Sequence, residues 1–247
     1  MKTGAEQGLA GRRKFLGLAA AGMGGVLLAP GIHLIEIAQA ATPEASSKVR
    51  WGLLIDTTKC ESGCTDCVSA CNTENGLDPR PSPTSAQWIR KVEIKEIRTG
   101  RTSSVPVMCQ HCAEPPCVDV CPTGASFKRA DGIVLVDRHT CIGCRYCMMA
   151  CPYKARSFVH EVTTDQKAHN PRGKGCVESC TLCVHKVDRG DGTTACAEAC
   201  KKEGHEAILF GDLKDPNSEI SKRLAAQPSK QLRADLKLNT GVRFQGI

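Results

Sequence analysis

Sixteen of the chain's 17 cysteines fall into four groups of four, and no other feature constrains the fold as tightly. The first group is Cys60, Cys64, Cys67 and Cys71, spaced Cys-x3-Cys-x2-Cys-x3-Cys. The second is Cys109, Cys112, Cys117 and Cys121-Pro122, and the third is Cys141, Cys144, Cys147 and Cys151-Pro152. The fourth is Cys180, Cys183, Cys196 and Cys200, with a twelve-residue spacer between its second and third members. Cys176 stands apart and is read as spare.

The third group has the spacing Cys-x2-Cys-x2-Cys-x3-Cys-Pro, by which a chain wraps 4Fe-4S cubes. Three thiolates two residues apart on a loop hold one corner of a cube. A fourth, three residues on, starts a helix and points to a second cube, so each run serves two clusters. Gly63, Gly143 and Thr65 let backbone N–H groups approach the inorganic sulfides. Pro122 and Pro152 turn the chain away without adding a donor. Disulfides would need thiols better separated than repeated Cys-x2-Cys allows. Structural zinc uses pairs divided by a long spacer, not runs of three plus one followed by Pro. Only nine residues are aromatic, so cysteine-bound inorganic material fills part of the interior. The expected cofactors are four 4Fe-4S clusters.

The formal charge of +7 first suggests a nucleic-acid or acidic-lipid partner. Residues 1–40 contribute two of those charges and leave +5. Four oxidised cubes, each at −2 with its four thiolates, bring the loaded protein to about −3. That excludes a nucleic-acid partner. Past residue 40 no apolar stretch reaches the roughly 20 residues of a bilayer span.

Gly11-Arg12-Arg13-Lys14-Phe15-Leu16-Gly17, a Gly/Ala-rich run and Ala38-Gln39-Ala40 read as a twin-arginine signal with an A-x-A cleavage site. A basic tail with an amphipathic helix, or an uncut leader that anchors the protein, are the other readings. The glycines at 17, 22, 24, 25 and 31 weaken the helical one. The expected location is periplasmic, on the outer face of the cytoplasmic membrane, reached with cofactors already inserted.

The chain resembles the four-cluster ferredoxin subunits of membrane-associated oxidoreductases, the family of the beta subunits of polysulfide and dimethyl sulfoxide reductases. It is most similar to the exported DsrO type of the sulfite-reduction-associated Dsr complex. The likeness rests on the cysteine runs, on Trp51-Gly52-Leu53-Leu54-Ile55-Asp56, on Cys151-Pro152-Tyr153-Lys154-Ala155-Arg156 and on Phe210-Gly211-Asp212-Leu213 with Asp215-Pro216-Asn217-Ser218. It implies an α+β fold of two interleaved bacterial ferredoxin-like modules, each holding two clusters. Residues 41–100 and 166–215 form the halves of an outer module, 101–165 an inner one, and 216–247 a C-terminal extension. It also implies ligand exchange between runs. One cube takes Cys60, Cys64, Cys67 and Cys200, and its neighbour Cys180, Cys183, Cys196 and Cys71. The inner pair is Cys109, Cys112 and Cys117 with Cys151, and Cys141, Cys144 and Cys147 with Cys121. Two departures bear on the outer pair: Cys200 precedes Lys201 where the family often has Pro, and Cys176 competes four residues before Cys180.

Elsewhere, Val49 to Asp56 and Trp88 to Ile97 read as strands, and Asp131-Gly132 as a hairpin turn. Leu77 to Ala86 is Pro-rich and loop-like, and Asp165 to Lys174 is expected to be exposed. A short helix is expected over Ser218 to Ala226, and the tail beyond it drapes over the surface or a partner. Arg145, Lys154 and Arg156 are candidates for raising cluster potentials, with solvated surface charge the competing reading. His111 reads as a donor beside a cluster rather than a ligand. No nucleotide loop or acid-base pair is present, so the chain reads as an electron-carrying subunit without its own substrate site. It would relay single electrons between a polytopic quinone-reactive membrane subunit and a cytochrome c or other redox partner, within sulfur metabolism. The alternatives are the beta subunit of a molybdenum oxidoreductase and a zinc-stabilised interaction module.

Overall fold

The computed structural model describes residues 45–78 and 82–247. The leader motif, its cleavage site and the middle of the Pro-rich segment lie outside those residues. Among the described residues, no helix is long and apolar enough to cross a membrane.

The core is built on β1 (Trp51–Asp56), whose Leu53, Leu54 and Ile55 are all buried. Apolar side chains on both faces of one strand require cover on both sides. Gly52 is required where it is, because a Cβ there would lie 2.4 Å from the Gly241 carbonyl oxygen. Helix α1 (Asp66–Asn75) follows, ended by Gly76 at φ 64°, a left-handed cap that glycine adopts without strain. The antiparallel pair β2 (Ile89–Lys95) and β3 (Thr102–Met108) then delivers the chain to the second cysteine run.

That run opens into the short helix α2 (Pro116–Asp119) and the hairpin β4 (Ser126–Lys128) with β5 (Val134–Val136). The hairpin loop is closed by Arg129 N–H on the Ile133 carbonyl at 2.8 Å. Asp131 sits inside it and accepts from both Arg129 and Ile133 N–H. Helix α3 (Tyr146–Ala150) and the pair β6 (Ser157–Phe158) with β7 (Val177–Glu178) complete the middle of the chain. Helices α4 (Val184–Arg189) and α5 (Ala195–Lys202) lead into β8 (Ile208–Asp212), antiparallel to β1. Helix α6 (Glu219–Ala226) is capped by the Ser218 hydroxyl, which accepts from Ser221 N–H at 3.2 Å. Its fully buried Ile220 lies against Gly211 of β8.

Two expectations need correction. The tail does not drape over the surface: Val242–Gln245 forms β9, parallel to β1 on the edge opposite β8, with Val242 and Phe244 fully buried. The exposed edge of β1 accepts the strand because two apolar residues two apart face one way. The segment 165–174 is not wholly exposed either. Asn170 is buried and donates to Asn75, while Arg172 meets the fully buried Glu178 carboxylate at 3.0 Å. Each polar group has a partner, so burial there carries no unmet hydrogen bond.

Candidate iron-sulfur site

All 17 cysteines are free thiols, none in a disulfide. They gather across the runs. Cys109, Cys112, Cys117 and Cys151 line one cavity, and Cys121, Cys141, Cys144 and Cys147 line another. Cys71, Cys180, Cys183 and Cys196 line a third, beside Trp88 and Met108. The remaining four group electrostatically: Cys60, Cys64 and Cys200 all act on Cys67.

Local structure explains this grouping of thiols from different runs. Cys67 and Cys71 sit one turn apart on α1, and Cys196 and Cys200 one turn apart on α5, with the two helices packed together. Cys117 lies on α2 with Cys121 just beyond its end, and Cys147 lies on α3 with Cys151 as its cap; these two helices also pack together. Each helix thus gives one thiol to the group at its start and another to the group one turn further on. Gly143, at φ 71°, brings the third run against the Gly175 carbonyl, where a Cβ would lie at 2.2 Å.

The residues fit a polynuclear iron cofactor. Every donor is a thiol, and the sulfurs already accept hydrogen bonds. Ser126 N–H reaches Cys121 Sγ at 3.3 Å, Val177 N–H reaches Cys141 at 3.4 Å, Leu182 N–H reaches Cys180 at 3.4 Å and Ala207 N–H reaches Cys200 at 3.2 Å. Burial, followed by the charge of neighbouring thiolates, pushes the Cys112 thiol up to about 12. Four such groups crowded together become thiolates only when a metal supplies the countercharge. Arg156 makes the same point. Its guanidinium is buried, donates to Cys117 Sγ at 3.1 Å, and has two nitrogens with no partner among the described residues. Burial would lower its pKa, but Cys117, Cys109 and Cys147 outweigh that and raise it. A buried cation facing only thiols requires them to be anionic.

Of the other residues singled out in the sequence, His111 is buried and its Nδ1 accepts from Val134 N–H at 3.0 Å. Burial, then the charge of Arg156, pushes its pKa down to about 3, so the ring is neutral with its proton on Nε2. Arg145 stacks over Phe158 at 4.1 Å, and Lys154 is exposed. Cys176 lies beside Cys141 rather than Cys180, and donates to the Arg138 carbonyl at 3.2 Å. Its competition therefore bears on an inner group, not the outer pair. Lys91 of β2 was not singled out in the sequence, yet its charge acts on Cys60, Cys64 and Cys67. It lies in a polar, alternating strand outside every cysteine run, which left no local signal.

Two models of the 4Fe-4S dicluster domain match the chain, over residues 59–125 and 101–212. The iron-sulfur subunit 1 of the Hdr-like menaquinol oxidoreductase of Archaeoglobus fulgidus is 41% identical over 255 residues, covering 91% of this chain and 94% of that protein. The chain belongs to the 4Fe-4S ferredoxin-type subunits of membrane oxidoreductases. A tetrathionate reductase subunit of Salmonella typhimurium is 38% identical, over 81% of this chain and 75% of its own length. A sulfite dehydrogenase subunit of Allochromatium vinosum is 39% identical, over 73% and 76% respectively. The two dicluster domains and the thiol complement fit four 4Fe-4S clusters. Members of this family are electron-transfer iron-sulfur subunits.

Proposed function

We propose that this chain relays single electrons through four cubes held by the four thiol groups, between a quinol-reactive membrane subunit and a redox partner outside the cytoplasmic membrane. The ligand sets are Cys60, Cys64, Cys67 and Cys200; Cys71, Cys180, Cys183 and Cys196; Cys109, Cys112, Cys117 and Cys151; and Cys121, Cys141, Cys144 and Cys147. One observation carries the reading. The second and third groups are wholly buried, whereas Cys60 and Cys64 are half-buried in the first, and Cys144 is exposed in the fourth. Trp88 and Met108 line the second group, and Met108 directly precedes Cys109 of the third. Two buried groups together with two that reach solvent suit a relay with one point of entry and one of exit.

Clusters bound there would supply one-electron chemistry, and the chain's residues would tune their potentials. Arg156 places a positive charge at the inner pair, Lys91 does so at the Cys60 end, and the neutral His111 offers an Nε2–H donor. The 41% identical menaquinol oxidoreductase subunit supports a quinol donor, and the sulfite dehydrogenase and tetrathionate reductase subunits support a place in sulfur chemistry of the DsrO type. Arg12 and Arg13 support export by the twin-arginine route, so the periplasm is the proposed site of work. The beta subunit of a molybdenum oxidoreductase of the polysulfide or dimethyl sulfoxide reductase type is the second reading, favoured by a 37% identical protein of Halobacterium salinarum that bears the name of a dimethyl sulfoxide reductase iron-sulfur subunit.

The test is recovery of the native complex from membranes. The chain should copurify with a polytopic subunit and a haem protein, and its clusters should bleach on adding a menaquinol analogue. Changing both Arg12 and Arg13 to Lys should leave loaded protein in the cytoplasm. Recovery with zinc but no acid-labile sulfide refutes the reading, and normal export of the double variant refutes the proposed location.

A further inference from the structure

Outside the thiol groups, three side chains from three separate elements converge on one point. Glu74 lies near the end of α1, His185 is on α4, and His169 is on the 165–174 segment. His185 Nε2 is 2.7 Å from Glu74 Oε1, and His169 Nε2 is 3.8 Å from the same oxygen. The donor atoms of all three lie within 4.8 Å of one another. We propose that Glu74, His169 and His185 form a binding site for one borderline-soft divalent transition metal ion, of the zinc or iron(II) class.

The donor set has the chemistry for it. Two imidazoles and one carboxylate hold zinc in catalytic sites and iron(II) in open sites, and the remaining positions are filled by water or substrate. Bonds of about 2.0–2.2 Å place neighbouring donors roughly 3–3.5 Å apart. The present separations of 2.7 and 3.8 Å fall on either side of that and the two histidine donors lie within 4.8 Å, so ligation needs movements on the order of 1 Å.

His185 Nε2 bonds the Glu74 carboxylate, His169 Nε2 bonds the Glu74 main-chain carbonyl at 2.9 Å, and the two rings stack, centroids 4.0 Å apart and 29° from parallel. A metal ion among the three groups would draw one donor atom from each, with His169 exchanging its carbonyl bond for the ion. The nearest cation does not compete: Lys186 Nζ turns to Glu198 at 2.8 Å.

The site is also held in place and open to entry. Asn170 Nδ2 donates to Asn75 Oδ1 at 3.2 Å and Arg172 donates to the Gly76 carbonyl, fastening the 165–174 segment to the end of α1 just beyond the histidine. The His169 side chain is 33% exposed and that of the half-buried His185 is 10% exposed, so an ion reaches the site from solvent and settles against the less accessible ligand. Bound there, it clamps the segment to two helices, one carrying cluster-facing thiols and the other beginning directly after Cys183.

The test uses the cluster-loaded protein with zinc as probe, in competition against a chromogenic chelator, with iron counted in parallel. We expect one zinc per chain with no loss of iron, binding weakened at least tenfold by His169→Ala and by Glu74→Gln. Zinc should also raise the temperature at which the clusters bleach, in the unchanged protein and not in the variants. His169 lies outside the cysteine groups, so iron content serves as a control in its variant. Equal zinc affinity in His169→Ala, or zinc bound only as iron is released, overturns the proposal.

Discussion

Arg156 is the residue at which charge, burial and the inner thiol groups meet, and replacing it gives a measurable shift. Its guanidinium lies 3.1 Å from Cys117 Sγ and acts on Cys109 and Cys147 as well, so it borders both inner groups. Only 5% of the residue is exposed, so solvent screens its charge little. An electron added to a cube centred about 6 Å away, at an effective dielectric near 20, gains roughly 3 kcal/mol from that charge. For a one-electron couple this is about 120 mV. Relaxation around the new side chain takes up part of it. We therefore expect Arg156→Met, which keeps most of the volume, to lower the midpoints of two clusters by about 50–120 mV. The sign follows from charge: the reduced cube is the more negative state and loses its stabilising cation. Arg156→Lys should recover part of the shift. The measurement is a potentiometric titration followed by electron paramagnetic resonance, with iron held near ~16 per chain. Midpoints unmoved in a fully loaded Arg156→Met protein refute the argument, as does a shift shared by all four clusters.

Two further outcomes are expected. If Cys151 joins Cys109, Cys112 and Cys117, Cys151→Ala should lose the resonance signal that Cys112→Ala loses, and Cys121→Ala the one that Cys144→Ala loses; the opposite pairing means that each run binds its own cube. Phe244→Ala should cost about 3–5 kcal/mol and lower the temperature of cluster loss, whereas Leu236→Ala, at a residue 39% exposed, should change it little; equal effects remove β9 from the core.

The cysteine spacing made much of the site legible because it constrains local backbone. In the first three runs, four thiols within about twelve residues leave room for a loop and one turn of helix, and α1, α2 and α3 each begin within one; α5 begins at the end of the fourth run's twelve-residue spacer. The short helix expected over Ser218 to Ala226 was legible for a similar reason, since it is built from neighbours a few residues apart and the Ser218 hydroxyl caps it locally. What sequence left hidden depends on partners far along the chain. β9 has four residues and reads as tail until β1 offers it an edge. Asn170 and Arg172 look like solvated polar residues until Asn75 and Glu178, the former 95 positions away, absorb their hydrogen bonds. Lys91 and the Glu74, His169 and His185 cluster belong to this second kind. No local pattern marks a side chain whose role is set by what folds against it.

The exchange of thiols between runs has a consequence for assembly. α1 and α5 each supply thiols to both outer groups, and α2 and α3 with their flanking residues do the same for both inner groups. Under the proposed ligand sets, neither cube of a pair is complete until two distant helices have docked, and neither helix pair has a filled interior until both cubes are present. The aromatic side chains cannot substitute: Trp88 and Phe244 are the large ones fully buried among the described residues, and Phe244 belongs to the last strand. Metal loading, helix docking and closure of β9 on β1 are then one cooperative step, because ligand binding energy is folding energy where the site does not exist in the open chain. If such a chain is exported, it would receive its iron before translocation. A route that carries folded cargo meets that requirement, which agrees with the proposed twin-arginine leader.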